Sequence, residues 1–515
     1  MSAVRPARLG GLGRLDLLDL LGRSRSPVGP RMGDKKRALA ARVSLVVTAL
    51  WISGCAGLPD RAPPPTVALE LPPTWQAPLP HGGSLTDLSR WWSRFDDPLV
   101  GVLVDAAESV SPSVGSAGAR IAEARAARRG AGAALLPAVG ASGGVSRGRP
   151  DLISPLGTSA SAALQASWEV DLFGRNRAAV DAAEARLQAS AAAWHDARVA
   201  VAAETANEYV ALRACEARRV QARLDATSRG ETARLTDLTA QSGFESPGNA
   251  ALARAGAAQA RAFAIQQAEQ CERSVKALVA LTGIGEPALR QRLEAAVGEL
   301  PEPVEIVVSA VPAAALAQRP DVLAAARRVA AASADVAQSE AERLPRVTLA
   351  GSIGVARFES DLGRLQGTTW SIGPVSVSLP VFDAGSRVAN VAAARARYDE
   401  SVTVYMAVLR QSIREVETAL LALQSSEQRR ADADAAVENF ELSLRSTEAR
   451  YRSGFGTLFE FEDARRSALQ ARNALIDLRR DRVAAWIALY RALGGGWHAL
   501  DPLPRLADDA QSAPR

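Results

Sequence analysis

Cysteine and histidine are the residue types of this 515-residue chain best suited to metal binding or nucleophilic chemistry, and there are three of each. His81, His195 and His498 are far apart in sequence, which argues against a histidine-based metal site. The chain contains no Walker-type loop, no Cys/His ligand cluster and no clustered triad, and its Gly-rich run at residues 10–13 lies in the N-terminal leader. We therefore expect no catalytic residue, no cofactor and no metal.

Cys55 follows a segment with the features of an export signal. Basic residues 35–37 precede an apolar run at 43–52 that is too short to span a bilayer. Ile-Ser-Gly-Cys, ending at Cys55, resembles a bacterial lipoprotein box, which implies cleavage before Cys55 and stable anchoring by two or three acyl chains. In that class Ala56, rather than aspartate, suggests export to the outer membrane, and Met32 is the expected true start. The alternative is an ordinary signal peptide with an incidental cysteine.

Cys215 and Cys271 are placed to form a disulfide. Each lies 28 residues from Gly243, which marks the turn between two predicted helices. Equal spacing puts the two thiols at the same height on antiparallel helices, and the compartment reached by an exported protein is oxidising. We expect a disulfide, and the alternative is two buried thiols.

The charge of the chain is concentrated in the leader. Residues 1–54 carry ten of the 61 Lys and Arg residues and three of the 56 acids, so the remainder has 51 basic and 53 acidic residues. This near-neutral mature chain has no basic patch of the kind that binds nucleic acid. Hydrophobic residues make up 48% of the sequence and aromatic residues only 5%, which favours long packed helices.

Strands that lead into very long helices organise the chain. Val375, Val377, Leu379 and Val381 alternate with polar residues or proline, which predicts a strand with one apolar face. Residues 386–451 then lack proline and glycine, and at about 1.5 Å per residue they would form a helix of roughly 100 Å.

The same plan occurs earlier in the chain. Alternation at 162–172 predicts a strand, a helix follows from about 176 to 241 with a break at Gly230, and a second helix returns to 281. A weaker strand is predicted at 138–149, and another begins at Val347 and precedes a turn near 363–367. Landmarks recur at offsets of 208 to 211 residues, as with Gly243 and Gly454, so we infer an internal repeat.

The predicted organisation has six parts. These are a leader and lipoprotein signal peptide at 1–54 (1–31 being a mis-assigned extension), a lipidated Pro-rich tether at 55–90, a first repeat at 91–283, an equatorial insertion at 284–318, a second repeat at 319–497 and a C-terminal tail at 498–515.

Four amphipathic strands cannot close a barrel, and open sheet edges cannot lie in lipid. We therefore expect a mainly α protein with transmembrane β-strands, in which three chains share a 12-stranded barrel that long helices continue on one side. The motifs resemble those of the TolC-like outer-membrane efflux proteins, particularly the NodT-type lipoprotein branch. The matching segments are Trp91-Trp92 with Phe95 and 97–99, 171–175, 319–322, 373–374 with 379–382, and 490–497.

The resemblance implies a passive homotrimeric duct in outer-membrane lipid that works with a periplasmic adaptor protein and an inner-membrane pump. By position it also implies a gate in which Tyr451 forms a polar link and Glu460 and Asp463 ring the pore. The arginine and aspartate of the family's ion pair are replaced by Gly456 and Asn249. For these three residues the alternative is a helix-start tyrosine and two solvated acids.

A different class of function would be a periplasmic coiled-coil adaptor or scaffold lipoprotein. Such a protein would account for the helices but not for amphipathic strands placed between them.

Overall fold

The computed structural model describes residues 91–93, 95–149, 155–302, 316 and 318–496, all within one compact unit, Pro63–Arg515. In these residues the chain forms eight α-helices and four β-strands. They are α1 Leu99–Val110, α2 Pro112–Ala133, β1 Ala138–Gly148, β2 Gly157–Val170, α3 Arg175–Gln241, α4 Pro247–Thr282, α5 Glu286–Leu293, α6 Pro320–Ala341, β3 Arg346–Ser360, β4 Gly363–Ser378, α7 Ser386–Arg452 and α8 Leu458–Ala492. The predicted signal segment, Cys55, the tether, the C-terminal tail and most of 303–317 lie outside the described residues.

The four strands form a single antiparallel sheet in the order β1-β2-β3-β4. Its middle pair joins the two repeats, because β2 pairs with β3 from Gly157↔Ser360 to Val170↔Val347. β1 and β4 are the two outer strands. Among the described residues the expected count of four strands is confirmed, and there the sheet is open at both edges.

The internal repeat is visible in the helices. α3 and α7 are each 67 residues long, and both their first and their last residues are separated by 211 positions. At about 1.5 Å per residue each helix is roughly 100 Å long. Each ends at a short turn with a left-handed glycine, Gly243 or Gly454, from which α4 or α8 returns.

Gly230 does not break the long helix, contrary to the sequence prediction. α3 continues through it. A single glycine inside a helix costs only about 1 kcal/mol relative to alanine, which packing along a 67-residue helix readily offsets. In the first repeat α1 and α2 are separate helices, because Ser111 adopts an extended ψ of 125° before Pro112.

The predicted ends of β4 were also wrong. The strand begins at Gly363 and includes the residues expected to form a turn at 363–367, and it ends at Ser378. Leu379 and Val381 therefore lie beyond it. Pro380 has no N–H group to donate to a neighbouring strand, which explains why pairing stops before it.

The main hydrophobic core lies where α1, α3, α4, α7 and α8 meet. Trp91, Trp92 and Phe95 pack around Tyr490, whose ring stacks on that of Trp91 with centroids 5.0 Å apart. Asp97 caps α1 by accepting a hydrogen bond from the Leu99 amide at 2.9 Å. The aromatic cluster thus fixes the start of the first repeat against the end of the second. Among the described residues, no helix combines the length and the apolar character needed to cross a membrane.

Candidate functional site

The two surfaces of the sheet differ in chemistry. Strand register places a set of large, exposed apolar side chains on one side, here called the apolar face. Its members include Val139, Val145, Leu164, Ile353, Val355, Trp370 and Ile372. An apolar surface of this extent on a sheet with open edges is typical of strands that face lipid.

The opposite surface, here called the polar face, is lined by small hydroxyl and amide side chains. Its members include Ser142, Ser146, Ser159, Ser161, Gln165, Ser352, Thr369 and Ser371. Ser146 and Ser159 share a hydrogen bond of 2.8 Å between their hydroxyls, as do Ser352 and Ser371, and Gln165 donates to Ser142 at 3.3 Å. Phe358 and Leu365 lie on this face near the β3–β4 turn. The middle of the polar face offers uncharged polar groups to water.

An aspartate and a left-handed glycine join strand to long helix in each repeat. Gly174 has φ 77° and Gly385 has φ 86°, a region that favours glycine. Asp171 accepts hydrogen bonds from the amides of Asn176 and Arg177 at 3.1 and 2.9 Å. Asp383 accepts in the same way from the amide of Arg387, at 3.2 Å. These carboxylates satisfy orphan amides at the start of each helix and so fix the angle between sheet and helices.

Tyr451 lies at the end of α7, where it contacts the first repeat. Its ring stacks on Phe461 with centroids 5.3 Å apart, and its hydroxyl lies 3.3 Å from that of Thr236 on α3. Thr236 is fully buried. This contact joins α7 to α3 within one chain, and the gate role of Tyr451 stays a prediction.

Glu460 and Asp463 are not brought together with Tyr451. Glu460 forms a capping box with Thr457: its carboxylate accepts the Thr457 amide at 3.0 Å, and its own amide donates to the Thr457 hydroxyl at 3.1 Å. This hydrogen bond from the backbone lowers the pKa of Glu460. Asp463 is exposed, and its nearest cation, Arg466, is 3.7 Å away. The geometry gives Glu460 a local role at a helix start and leaves Asp463 directed to solvent.

The two residues that replace the family's ion pair have other roles here. The amide of Asn249 donates to the N-cap hydroxyl of Ser246 at 3.0 Å, and its side chain donates to Glu245 at 2.8 Å. A Cβ at Gly456 would lie 3.1 Å from the backbone nitrogen of Tyr451. A larger residue at position 456 would therefore require the backbone of the turn to shift by a few tenths of an ångström.

A charged cluster near the hairpin turns, in which Arg465 is buried and its partners are half-buried, was missed by sequence reasoning. Arg229 on α3 pairs with Asp225 at 2.9 Å and with Glu462 on α8 at 2.5 Å. Glu462 also pairs with Arg465 at 2.7 Å, and Arg465 lies over the Phe461 ring at 4.2 Å. Burial lowers the pKa of the Arg465 guanidinium. The i, i+3 and i, i+4 spacings were available in the sequence, but they are common in charged helices and did not identify the contact between helices.

Cys215 and Cys271 are buried together in the main core. Their Cα atoms are 5.5 Å apart and the structure joins their sulfur atoms, one on α3 and one on α4. The two cysteines therefore lie at the same level along α3 and α4, as their equal spacing from Gly243 predicted. The disulfide in the mature protein stays a prediction that a thiol count can test. In the described part of the chain, no group of three or more His, Cys, Asp or Glu side chains is arranged to hold a metal ion.

This chain combines an antiparallel sheet that has one lipid-compatible face with helices of roughly 100 Å. That combination is typical of outer-membrane channels built from a barrel and a helical tunnel. The profile described as "Outer membrane efflux protein" matches residues 103–284 and 311–495. The chain belongs to the outer membrane efflux protein family, and the family and fold inferred from the sequence motifs are confirmed.

Named relatives agree with this assignment. The chain is 31% identical to the pyoverdine export outer membrane protein OpmQ of Pseudomonas putida over 453 residues, covering 85% of this chain and 95% of the relative. It is 30% identical to outer membrane protein OprJ of Pseudomonas aeruginosa over 471 residues, which cover 90% of this chain and 97% of the relative. The solved outer-membrane channel OprN superposes with a TM-score of 0.72 at 27% identity, over 84% of this chain and 98% of that one. The solved outer membrane protein VceC of Vibrio cholerae superposes with a TM-score of 0.69 at 27% identity, over 81% of this chain and 100% of that one.

Proposed function

We propose that this outer-membrane efflux protein acts as a passive homotrimeric duct for small molecules, working with a periplasmic adaptor and an inner-membrane pump. The observation that carries the proposal is the open four-stranded sheet with one apolar and one polar face. In lipid the unpaired backbone groups of β1 and β4 must find partners, because each unsatisfied group costs several kcal/mol. Three chains satisfy both edges of every sheet and give a 12-stranded barrel.

The polar face then lines the pore. Its serine hydroxyls and its glutamine amide form hydrogen bonds with one another. In a water-filled lumen, water supplies the remaining hydrogen-bond partners of these groups and of the threonine hydroxyls. The long helices continue the wall on the side of the sheet opposite the β1–β2 and β3–β4 turns. Nothing in this arrangement supplies energy, and transport through it is driven by the pump.

The hairpin turns support docking of an adaptor. Phe244 is 88% exposed and Phe455 is 81% exposed, at equivalent positions directly after the left-handed glycines of the two turns. Large exposed aromatic side chains at one end of a helical assembly are typical of a protein interface. Relatives named as efflux pump outer membrane proteins, such as TtgC of P. putida, point to the same kind of system.

The gate residues receive separate roles in this proposal. Tyr451 connects α7 to α3 through Thr236, so it holds the second hairpin against the first. Asp463, exposed on α8, is the candidate for an acidic ring facing the pore. Glu460 stabilises the start of α8 and so keeps Asp463 in position, in addition to its predicted place in the acidic ring.

Lipid anchoring through Cys55 completes the proposal. Ile-Ser-Gly-Cys and the preceding basic and apolar segments support cleavage before Cys55 and acylation there. The anchor would tie the N-terminus to the inner leaflet of the outer membrane, as in the NodT-type branch. Mass spectrometry of the mature N-terminal peptide tests it: an unmodified cysteine would exclude the anchor.

Channel recordings test the duct. Purified protein in a planar bilayer should give steps of ion conductance, and its mass in detergent should be that of three chains. The rival, a periplasmic adaptor or scaffold lipoprotein, predicts no conductance and no stable membrane insertion. A protein that is monomeric and impermeable under every condition would refute the proposal.

A further inference from the structure

The apolar face ends in arginines at the turn end of the sheet. Counting from the helical end of the sheet, the first charged residue on that face is Arg357. It belongs to the row of directly paired residues Val145–Ala160–Arg357–Gln366. In the next row, Arg147, Thr158, Glu359 and Arg364 are direct partners across the four strands. Because directly paired residues point to the same side of a sheet, all three arginines lie on the apolar face.

The arginines begin where the apolar band should end. Ten positions separate Val347, near the helical end of β3, from Arg357. At about 3.4 Å per residue and a strand tilt of about 40°, these positions span a height of roughly 26 Å. The apolar band of a transmembrane barrel is about 25 Å tall. Arg357 therefore lies at the level of the lipid headgroups.

One carboxylate holds two of the three guanidiniums. Glu359 accepts from Arg357 at 2.7 Å and from Arg364 at 3.2 Å. The side chains of Arg357 and Arg364 remain 44% and 53% exposed, so each retains donors that face outward. With Arg147 two strands away, roughly 10 Å, the patch has three positive charges and one negative charge.

We propose that Arg147, Arg357 and Arg364 form a binding site for the phosphate groups of an anionic glycolipid in the outer leaflet. The proposal rests on the proposed function, because that function places the helices in the periplasm and the turns at the outer surface. Arginine suits this ligand, since its planar fork donates two parallel hydrogen bonds to a phosphate. The adjacent apolar face, with Val355 and Trp370, accommodates the acyl chains of the same lipid.

Closure of the barrel would strengthen the site. In a trimer β4 of one chain lies beside β1 of the next, so Arg364 and the neighbouring copy's Arg147 would be on adjacent strands. Three such positions around the rim, with a net charge of +2 from each chain, would form a cationic belt at headgroup level. A lipid bound between two copies would also cover the junction between chains.

The test uses the full-length trimer in neutral detergent and native mass spectrometry. We expect it to retain bisphosphorylated lipid A, added as a probe, in preference to dephosphorylated lipid A. The variant R147Q/R357Q/R364Q should retain at least about tenfold less of the phosphorylated form, because charge-assisted hydrogen bonds are lost. The control R234Q/R273Q/R430Q removes three exposed helical arginines and should bind as the unaltered protein does.

Three results would overturn the site. They are equal retention by the triple variant, equal binding of dephosphorylated lipid A, and complete displacement by millimolar inorganic phosphate, which would indicate a site for a free anion. If the triple variant does not assemble, Glu359→Gln provides the second test: it leaves both guanidiniums unpaired and should increase retention several-fold, whereas unchanged or weaker retention contradicts the site. Conductance is recorded in parallel, so loss of lipid binding with normal channels is distinct from failure of the duct.

Discussion

At the level of single residues, Glu462 is the carboxylate shared by a buried guanidinium, that of Arg465, and a half-buried one, that of Arg229. It pairs with Arg229 and with Arg465, whose side chains are 16% and 8% exposed. The pairs connect α8 to α3 close to the hairpin turns. A buried charge that loses its partner is far more costly than a pair that was never formed.

Glu462→Gln should therefore destabilise the hairpin ends by about 3 kcal/mol, because Arg465 loses its carboxylate partner and Arg229 retains only Asp225. Thermal unfolding followed by circular dichroism at 222 nm measures the effect. The matched control is Glu231→Gln, whose pair with Arg234 is 63% and 59% exposed and should contribute less than about 1 kcal/mol. Equal shifts for the two variants would contradict a buried cluster.

Glu460 makes the first turn of α8 sensitive to acid. Its pKa is lowered from 4.5 by the hydrogen bond from the Thr457 amide, so its contribution is full above pH 4.5 and is lost as pH falls through the lowered pKa. Hydrogen exchange of the amides at 457–461, corrected for the intrinsic rate, should show protection falling as the pH is taken below 4.5 and through the lowered pKa. Glu460→Gln should remove this pH dependence, and a titration unchanged by the substitution would assign it to another group.

At the level of elements, two glycines with open space for a Cβ should respond in opposite ways to substitution by alanine. Gly385 is left-handed with φ 86°, and Gly230 lies inside α3, and a Cβ would meet no atom within 4 Å at either site. Gly385→Ala should cost about 1 to 2 kcal/mol, because an L-residue is strained there. Gly230→Ala should stabilise by up to about 1 kcal/mol. Thermal midpoints of the two variants test both signs, and a stabilising Gly385→Ala would mean that the junction is not left-handed.

The pair Cys215 and Cys271 cross-links α3 to α4 across a sequence separation of 56 residues. A thiol assay on denatured, unreduced mature protein should find no free thiol, and two free thiols would refute the bridge. In the chain-entropy account, Cys215→Ser with Cys271→Ser should cost about 2 to 4 kcal/mol, measured by denaturant unfolding under non-reducing conditions. Reduction of the unaltered protein should give a comparable loss.

At the level of the whole molecule, the stable unit is predicted to contain three chains. Each chain leaves β1 and β4 with one neighbour in its own sheet, so insertion in lipid requires the copies to pair. Outer-membrane fractions should contain β-rich protein that migrates as a trimer unheated and as a monomer after boiling. An acidic substitution on the apolar face, Ile353→Asp, should reduce this form sharply, whereas Ser352→Asp on the polar face should be tolerated. Equal loss with both variants would argue against the assigned faces.

The sequence by itself determined the elements, because each depends on local chemistry. Alternation predicts strands, long runs without glycine or proline predict the helices, and glycines at equal offsets mark both hairpin turns. The spacing of Cys215 and Cys271 from Gly243 likewise required only helix geometry. Family membership followed from short motifs at the boundaries of these elements.

Only the tertiary structure decided which residues from distant segments meet. Arg229 and Glu462 are 233 residues apart, and Thr236 and Tyr451 are 215 apart. Rotation of one long helix against another selects these partners, and no local spacing encodes it. The row of Arg147, Glu359 and Arg364 depends in the same way on the register between strands, which is set by packing of the whole sheet.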